Sequence, residues 1–566
     1  MDPSSIITAN LQKESHPQLK SRVDAGVDDC AKEDENGKSS FVLAHHLEGN
    51  SFHIPQDDRV LHQAIFVEAI ENHKYKTNRQ SIYLKFKCSI NSDKFENILS
   101  YQKAMDYIKK DADNPFVWKF KRSIAHQSLL DSLSSHYQGS NLSVQIEWEN
   151  GEIFDNVLST IAIDWHERLA DCMHNEGWPP CQAEPDIWMR KQGTHYEYIA
   201  VYVDDLTLAM ENPESFIQLL KDKYNFNFKG TGPLTFQLGA DFYCNTDGIL
   251  CMASKKYIEC LIASYEHIFR KKPTVNAYSP LEKGDHPELD SLELLDAEGI
   301  TQYQSLIGSL QWAISLGRFD IATAVMSMSS FRAAPRRGHL DRVRRICGYL
   351  AKMKHGTLKF RVHEPAYSDL PSKAYDWTYI YQGAKENSPE GAPEPLGKSV
   401  TLTHYVDANL FHDALTGRSV TGILHFANAT PVEWYSKKQA TVETATYGSE
   451  FVAARVCVEQ IIDIRNTLQY LGVPVQACSY MFGDNESVVN SSSIPHAKLH
   501  KRHTALSFHR VREAIAAKYV SFNFLPGSDN PADILSKHWA YSATWHMLQY
   551  LLFWEGDPAM ATSKEE

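Results

Sequence analysis

The sequence lacks the segments that direct a chain into or across a membrane. Its first residues, MDPSSIITANLQKESHPQ, are polar and contain no apolar core of the signal-peptide type. No run approaches the ~18 consecutive apolar residues that a membrane-spanning helix needs. We therefore expect a soluble, intracellular protein with no membrane partner.

Paired cysteines and an excess of positive charge are also absent. The ten cysteines contain no CxxC pair and are scattered from Cys30 to Cys478. This spacing fits neither a zinc site nor a dense disulfide scaffold and favours reduced thiols. The net charge of −13 argues against a uniformly basic protein that coats nucleic acid, so any contact with nucleic acid must use local basic stretches.

The chain is long enough for several folded domains. With 566 residues, of which 43% are hydrophobic, it should divide into three or four cores. A polar composition predicts that residues 1–75 are mostly disordered. Alternating apolar residues and the Asn-Gly turn in SVQIEWENGEIFDNVL predict a small β-module at 76–160. A stretch rich in Pro, Gly, Ser and Glu predicts a linker at 364–398.

Two adjacent carboxylates lie between apolar arms in YEYIAVYVDDLTLAM. The alternation on each side predicts a strand–turn–strand unit with Asp204 and Asp205 at its tip. Each acid raises the proton affinity of the other. The pair therefore lies in a solvated turn, where Asp is common, or helps to hold divalent metal for nucleotidyl transfer. These residues alone leave both interpretations open.

Four acids in the C-terminal part follow strands or begin helices. Strand ends and the helices after them share one edge of an α/β sheet, so such acids can converge. Two divalent ions roughly 4 Å apart need such a cluster to bridge a scissile phosphate. A helix cap is the alternative interpretation for any single acid. The four are Asp407, Glu450, Asp484 and Asp533.

Several stretches together resemble the Pol polyprotein of copia-type LTR retrotransposons. Tyr202-Val203-Asp204-Asp205 resembles the YxDD metal box of reverse transcriptases. GPLTFQLGADFYCNTDGILCMASKKYIE, YQSLIGSLQWAISLGRFDIATAV and PRRGHLDRVRRICGYL resemble the blocks that follow that box in the family. EWYSKKQATVETATYGSEFVAA resembles the family's "sWsSkKQ..valSsteAEy.Ala", and FGDNESVVN and NPADILSK resemble "..DN.sai" and "q.ADi.TK". The agreement over roughly 164–360, in order and at family-like spacing, is highly specific.

The resemblance implies a multidomain chain of α/β and α+β classes. It places a partial polymerase palm first, then a helical thumb or connection, then an RNase H-like α/β domain with a mixed sheet. The small β-module near the N-terminus would be of polyprotein origin, and a short C-terminal tail would be disordered. The corresponding ranges are 161–270, 271–363 and 399–548 for the three domains, 76–160 for the β-module and 549–566 for the tail.

The resemblance also implies a metal-dependent nuclease site in the C-terminal domain. The order D–E–D–D matches the RNase H pattern, with Mg²⁺ as cofactor in a two-metal site and Mn²⁺ as a substitute. Asp529 is the alternative to the last acid. Asn409 stands where the family often has a second acid, and Gly448-Ser449 replaces "eA" before the glutamate. The implied catalytic and metal-binding set is Asp407, Glu450, Asp484 and Asp533.

The polymerase part of the resemblance is incomplete. Nucleotidyl transfer needs a third carboxylate on a separate palm strand, in a block resembling "vDvktAFLnG". A further block resembling "LYGLKQaPr.W" forms the helix behind the nucleotide, and the sequence contains neither. Asp164 follows an apolar run and imitates the missing acid, but no nucleotide-helix block separates it from Asp204. We expect Asp204 and Asp205 to form an incomplete catalytic and metal site and DNA synthesis to be lost.

A basic segment near the C-terminus supplies candidate contacts for nucleic acid. HAKLHKRHTALSFHRVREAIAAK resembles the family's "h.r.KHI.i.yHfiRe", and its cations could meet duplex phosphates independently of sequence. They could also form the solvated face of a helix. The expected partners are an RNA–DNA hybrid or other nucleic acid and other polyprotein products, in cytoplasmic virus-like particles or the nucleus. The candidates are Lys498, Lys501, Arg502, Arg510 and Arg512.

Two hypotheses on function follow. In the first, the chain is a remnant of a reverse transcriptase with an RNase H that cleaves RNA in RNA–DNA hybrids. In the second, it is a non-enzymatic nucleic-acid-binding or decayed transposon-derived protein. The four acids favour the first, whereas the missing palm block and the acidic net charge favour the second.

Overall fold

The computed structural model forms two compact units, Lys13–Ala170 and a second that joins Met1–Gln12 to Asp171–Glu566. Side chains are described from residue 168 onward within the described ranges, except at 229. The first strand, β1 (Ile6–Leu11), belongs to the second unit. The described ranges are 6–11, 51–55, 61–70, 83–90, 93–100, 120–128, 142–148, 153–158, 160–203, 205–367, 370, 375–499 and 501–556.

The unit Lys13–Ala170 contains two antiparallel sheets. One has four strands in sequence order and the other has three. The hairpin expected from SVQIEWENGEIFDNVL is present as its last two strands. Two strands and β1 lie inside the segment 1–75, so the structure departs there from the expected disorder. The strands are β2 (Ser51–Pro55), β3 (Leu61–Ile70), β4 (Tyr83–Ile90), β5 (Asp93–Ser100), β6 (Phe120–Ser128), β7 (Leu142–Trp148) and β8 (Ile153–Leu158).

The second unit begins with an antiparallel sheet of order β12-β1-β11-β10-β9. The expected strand–turn–strand unit is its β10–β11 hairpin, whose apolar residues Ile199, Leu206 and Leu208 are fully buried. Helix α1 (Thr160–Asn175) begins before the boundary between the two units at Ala170 and ends after it. The elements are α1 (Thr160–Asn175), β9 (Ile187–Gln192), β10 (His195–Tyr202), β11 (Asp205–Ala209), α2 (Pro213–Tyr224) and β12 (Phe228–Pro233).

A helical region with a small sheet follows. The sheet has the order β13-β14-β15-β16. Leu306 and Leu310 of one helix and Val325 and Met328 of the next α-helix are buried in the hydrophobic core of this region. The elements are β13 (Phe236–Gln237), β14 (Ala240–Cys244), β15 (Leu250–Ala253), α3 (Lys255–Phe269), α4 (Ala297–Ser315), α5 (Ala322–Ser329), α6 (Arg337–Lys352) and β16 (Thr357–Lys359).

The C-terminal part is an α/β arrangement around a mixed five-stranded sheet, as predicted. Its order is β19-β18-β17-β20-β21, and β20 runs parallel to both of its neighbours while the other pairs are antiparallel. The elements are β17 (Leu402–Asn409), β18 (Val420–Ala427), β19 (Thr430–Lys438), α7 (Thr446–Tyr470), β20 (Ser479–Gly483), α8 (Glu486–Ser493), α9 (Ala505–Ala516), β21 (Val520–Phe524), α10 (Asp533–Ser536) and α11 (Tyr541–Leu551).

The helical region and the C-terminal part share one hydrophobic core. Leu424 of β18 and Ile534 and Leu535 of α10 pack in the same cluster as the buried faces of α3 to α6. The described residues of 364–398 contain no helix or strand, and Glu386 within this segment accepts two hydrogen bonds from the buried Arg465 of α7, both at 2.7 Å. The segment that we predicted as a linker is therefore anchored on the C-terminal part.

Two further observations concern membranes and thiols. Among the described residues, no helix combines the length and the apolar character that crossing a bilayer requires. The eight cysteines whose side chains the structure describes, from Cys172 to Cys478, are all free. The predicted disorder of the C-terminal tail 549–566 is wrong for its first residues, because 549–551 belong to α11 and Leu552 and Phe553 are buried in the core. Residues 557–566 lie outside the described residues.

Candidate metal centre

Two of the four predicted acids lie side by side at the ends of parallel strands. Val406 of β17 is in register with Gly483 of β20, so Asp407 and Asp484 follow at the same edge of the sheet. Asp407 is almost completely buried, with 1% of its surface exposed. A buried carboxylate needs compensating partners, which makes this edge of the sheet the place to look for cations.

The other two acids are contributed by helices that pack against this edge. Glu450 lies in the second turn of α7, which packs across β17, and it is buried. Asp533 is the first residue of α10, which lies on β18 at Gly422. A Cβ atom at Gly422 would lie 2.6 Å from the carbonyl oxygen of Ala532. Only glycine allows α10 to approach this closely, and this approach brings its acid to the cluster.

Three of the carboxylates form a compact group. One oxygen each from Asp407, Asp484 and Asp533 lie within 4.8 Å of one another. Asp529, the alternative to Asp533, is exposed and not part of this group. Oxygen ligands at this spacing suit a hard divalent cation, so the donor set fits the metal that the resemblance implies.

The electrostatics of the acids reflect their crowding. Burial, followed by repulsion from Asp407 and Asp484, holds the pKa of Glu450 well above its usual value. Burial and the charge of Asp407 raise the pKa of Asp484 and raise that of Asp533 to about 6. Like charges at close range disfavour ionisation, so the cluster is arranged to favour the binding of positive charge.

Sequence reasoning missed three residues that hold the site together. The ammonium group of Lys537 lies 2.6 Å from Asp533 Oδ1 and 3.2 Å from Asp407 Oδ2. The Ser536 hydroxyl donates a hydrogen bond to Asp407, and the Asn530 amide donates to the Val406 carbonyl at 3.0 Å. All three lie in NPADILSK, the segment that also supplies Asp533.

The acids of the predicted polymerase site are only partly described. Asp204 lies outside the described residues, and Asp205 begins β11. Val203 in the turn has a φ of 53°, which is strained for a β-branched residue. The tight turn is therefore kept at a cost in backbone energy.

The strand β1 lies beside this hairpin. It pairs antiparallel with both β11 and β12. The residues in register with Asp205 are Tyr202 on one side and Asn10 on the other. Asp164, which imitated the missing acid, lies within helix α1. The position facing Asp205 in β1 therefore carries an amide instead of an acid.

The predicted cations of the basic segment divide into two groups. Arg512 is buried, and its guanidinium donates to the carbonyls of Ser491, Ile494 and Pro495 at 2.5–2.8 Å. Its assignment as a contact for nucleic acid is corrected, because these bonds commit it to the fold. The other candidates are at least partly exposed and remain predictions: Lys498, Lys501, Arg502 and Arg510.

A departure from the family pattern has a structural counterpart. Gly448 stands where the quoted pattern has "e", and Glu443 stands where it has "a". The buried carboxylate of Glu443 lies so close to Gly448 that a Cβ atom there would overlap it. The same carboxylate pairs with His503 at 2.9 Å. The chain thus keeps a carboxylate at this place but attaches it at another residue.

The second departure from the family pattern, Asn409, is one end of a series of four hydrogen bonds. The carbonyl at the other end can only accept, and this fixes which atom donates in each bond. His538 Nδ1 must donate to the carbonyl of Asp285, 3.0 Å away. Its Nε2 then accepts from Ser327, and Ser327 accepts from Nε2 of His412, both at 3.1 Å. His412 Nδ1 accepts from the Asn409 amide at 2.9 Å. An aspartate at 409 could not donate this last bond, so the amide suits two neutral histidines.

The comparisons with known proteins agree with the predicted relationship. The chain is 23% identical over 378 residues to the retrovirus-related Pol polyprotein from transposon TNT 1-94 of Nicotiana tabacum, covering 66% of this chain and 26% of that protein. It is 25% identical over 304 residues to a putative transposon Ty5-1 protein of Saccharomyces cerevisiae, covering 52% of this chain and 84% of that protein. No protein-family model matches.

Among solved structures, the chain is similar to LC11-RNase H1 in complex with an RNA/DNA hybrid. The TM-score is 0.20 and the identity 16%, and the match covers 24% of this chain and 94% of that chain. The chain spans about a quarter of the length of the tobacco polyprotein. The resemblance to retrotransposon Pol polyproteins, predicted from the motifs, is confirmed by the curated relatives.

Proposed function

We propose that this relative of retrotransposon Pol polyproteins is a ribonuclease H that cleaves the RNA strand of RNA–DNA hybrids with Mg²⁺, for which Mn²⁺ can substitute. The observation that carries the proposal is the group of Asp407, Asp484 and Asp533, whose oxygens lie within 4.8 Å. LC11-RNase H1, one of the similar structures, is in complex with an RNA/DNA hybrid. We also propose action with other polyprotein products, in cytoplasmic particles or the nucleus.

The residues of the site have separable tasks in this proposal. Asp407, Asp484 and Asp533 would hold divalent metal, and Glu450, buried beside them, would be the fourth carboxyl group of the set. Held there, the metal would supply activation of the attacking water and stabilisation of the leaving oxygen. Ser536 orients the Asp407 carboxylate by its hydrogen bond.

The hybrid would be bound through its backbone. The partly exposed cations of the basic segment would contact phosphates independently of base sequence. Arg512 is left out of this set because its guanidinium is occupied by main-chain carbonyls. The proposed contacts are Lys498, Lys501, Arg502 and Arg510.

We propose in addition that the polymerase site is inactive. Two-metal nucleotidyl transfer relies on carboxylates that hold both ions. In β1, which pairs with β11, the position in register with Asp205 is an asparagine and not an acid. The sequence also lacks the blocks that supply the first palm acid and the nucleotide helix. Together these observations support loss of DNA synthesis.

The test is cleavage of the RNA strand of an RNA–DNA hybrid by the full-length protein with Mg²⁺ or Mn²⁺. Asp484→Asn should reduce the rate by more than about 100-fold, since even outer-shell partners of metal sites typically contribute roughly 10–100-fold. Asp529→Asn is the matched control, because Asp529 is exposed and outside the group. Cleavage that persists in Asp484→Asn would contradict the proposal.

The same preparation tests the polymerase and the alternative function. Template-directed incorporation of dNTP that is lost in Asp204→Asn would refute the proposed inactivity. The alternative is a non-enzymatic nucleic-acid-binding or decayed transposon-derived protein. A folded wild-type protein that cleaves no hybrid, yet binds hybrid less tightly after Arg502→Ala, would favour the binding function.

A further inference from the structure

Lys537 places a positive charge inside the acidic cluster. Its Nζ lies 2.6 Å from Asp533 Oδ1 and 3.2–3.3 Å from both oxygens of Asp407. These are two of the three residues whose oxygens lie within 4.8 Å of one another. The ammonium group therefore shares the oxygens that a metal ion in this group would use.

The position of this lysine is built into the fold. Lys537 follows α10, and its N–H donates to the Asp533 carbonyl at 3.1 Å. The helix is held on β18 by its close approach to Gly422, and Thr323 of α5 donates to the Ile534 carbonyl at 3.0 Å. With its backbone anchored from two sides, the lysine has little freedom to leave except by rotating its side chain.

Rotation is available because the Lys537 side chain is 36% exposed, whereas that of Asp407 is 2% exposed. The ammonium group contacts the carboxylates of Asp407 and Asp533 at nitrogen–oxygen distances of 2.6–3.3 Å. Mg²⁺ binds carboxylate oxygens at about 2.0–2.1 Å, so it and the ammonium group cannot use the same lone pairs together.

We propose that Lys537 is a resident counter-cation of the metal centre, which holds its carboxylates together without metal and must give up their oxygens when metal binds. This inference rests on the proposed function, because it assumes that the cluster binds metal. Lys537 is then a positioning residue that acts through Asp407 and Asp533. It lowers the affinity for metal and stabilises the metal-free fold.

The experiment is calorimetric titration of full-length protein with Mn²⁺ in the absence of nucleic acid. Lys537→Met should bind Mn²⁺ at least about tenfold more tightly than wild type, which corresponds to about 1.4 kcal/mol. Lys537→Arg keeps the charge and should show less of this gain. Lys438→Met is the matched control, since Lys438 pairs with Asp413 at 2.7 Å in the same sheet but outside the acidic cluster. The affinity of Lys438→Met for Mn²⁺ should equal that of wild type.

Thermal unfolding supplies a second readout that does not need activity. Without metal, Lys537→Met should unfold at a lower temperature than Lys537→Arg, because the carboxylates lose their counter-charge. Added Mn²⁺ should raise the unfolding temperature of Lys537→Met more than that of wild type. If Lys537→Met does not fold without metal, Lys537→Gln takes its place under the same criteria.

The outcomes separate this inference from the proposed function. Equal or weaker Mn²⁺ binding in Lys537→Met, with binding abolished by Asp484→Asn, overturns the role of Lys537 and leaves the metal centre in place. If neither wild type nor Lys537→Met binds Mn²⁺, both the metal centre and the role of Lys537 are overturned. If Lys537→Met binds Mn²⁺ more tightly than wild type and Lys438→Met, and Asp484→Asn abolishes the binding, both the metal centre and the role of Lys537 are supported.

Discussion

Removal of one hydroxyl, Ser327→Ala, tests the directed hydrogen-bond chain between the helical region and the C-terminal part. Ser327 of α5 is buried and joins His412 to His538. Without its Oγ, the Nε2–H of His412 loses an acceptor and Nε2 of His538 loses a donor. Both rings are buried, so water does not easily replace the missing partner.

The expected cost follows from these two unsatisfied groups. Each buried polar atom left without a partner costs roughly 1–3 kcal/mol, so the two atoms that Ser327→Ala leaves unpaired should destabilise this part of the fold by about 2–6 kcal/mol. The small cavity left by the oxygen adds to this value. Because the two ends of the chain belong to different regions, the loss should appear in both α5 and the segment around His538.

The assay is urea unfolding of the full-length protein together with hydrogen exchange of α5. Ser309→Ala is the control, since Ser309 is half-buried and its hydroxyl donates to the Ser305 carbonyl within the same helix, α4, at 3.1 Å. The control should change stability by no more than about 0.5 kcal/mol. A Ser327→Ala protein as stable as the control would refute the reasoning, because the two histidines would then have found other partners.

Two further predictions concern neighbouring groups. Glu443→Ala should destabilise the fold because His503 loses its partner, and Gly448→Glu should destabilise it because the new side chain overlaps Glu443. The double variant should lose less stability than the sum of the two single losses. Urea unfolding of the wild type, both single variants and the double variant measures this difference. Burial lowers the pKa of His412 to about 3, so the unfolded chain takes up this proton first, near pH 6.5, and stability should fall from there towards pH 3 by up to ~1.4 kcal/mol per pH unit. In His412→Gln, urea unfolding between pH 7 and 5 should show a shallower loss, and an unchanged slope would contradict this assignment.

Much of the site could be predicted from local patterns. Asp407 and Asp484 each follow an apolar strand, and the rule that parallel strands end at one edge was sufficient to bring them together. Asp533 was distinguishable from Asp529 only by its family-like motif, and the structure includes the first and not the second in the acidic group. The prediction worked because strand alternation and strand ends are properties of short segments.

The role of long-range partners was not predictable in the same way. Lys537 follows helix α10 and Arg512 lies in helix α9. Nothing in the sequence indicated that Lys537 would contact the acids or that Arg512 would donate to main-chain carbonyls. The strand β1 was expected to be disordered because its neighbours are polar. Its pairing with β11 and β12 depends on residues about 200 positions away.

The sequence by itself determined the family resemblance and the acids of the candidate metal centre, because these are recorded in residue type and spacing. Only the tertiary structure decided which cation enters the cluster, which arginine is buried, and which residue faces Asp205. The physical reason is that hydrogen bonds and ion pairs have ranges of a few ångströms. Distances of that size between residues far apart in the chain are set by packing, such as the close approach of α10 to Gly422.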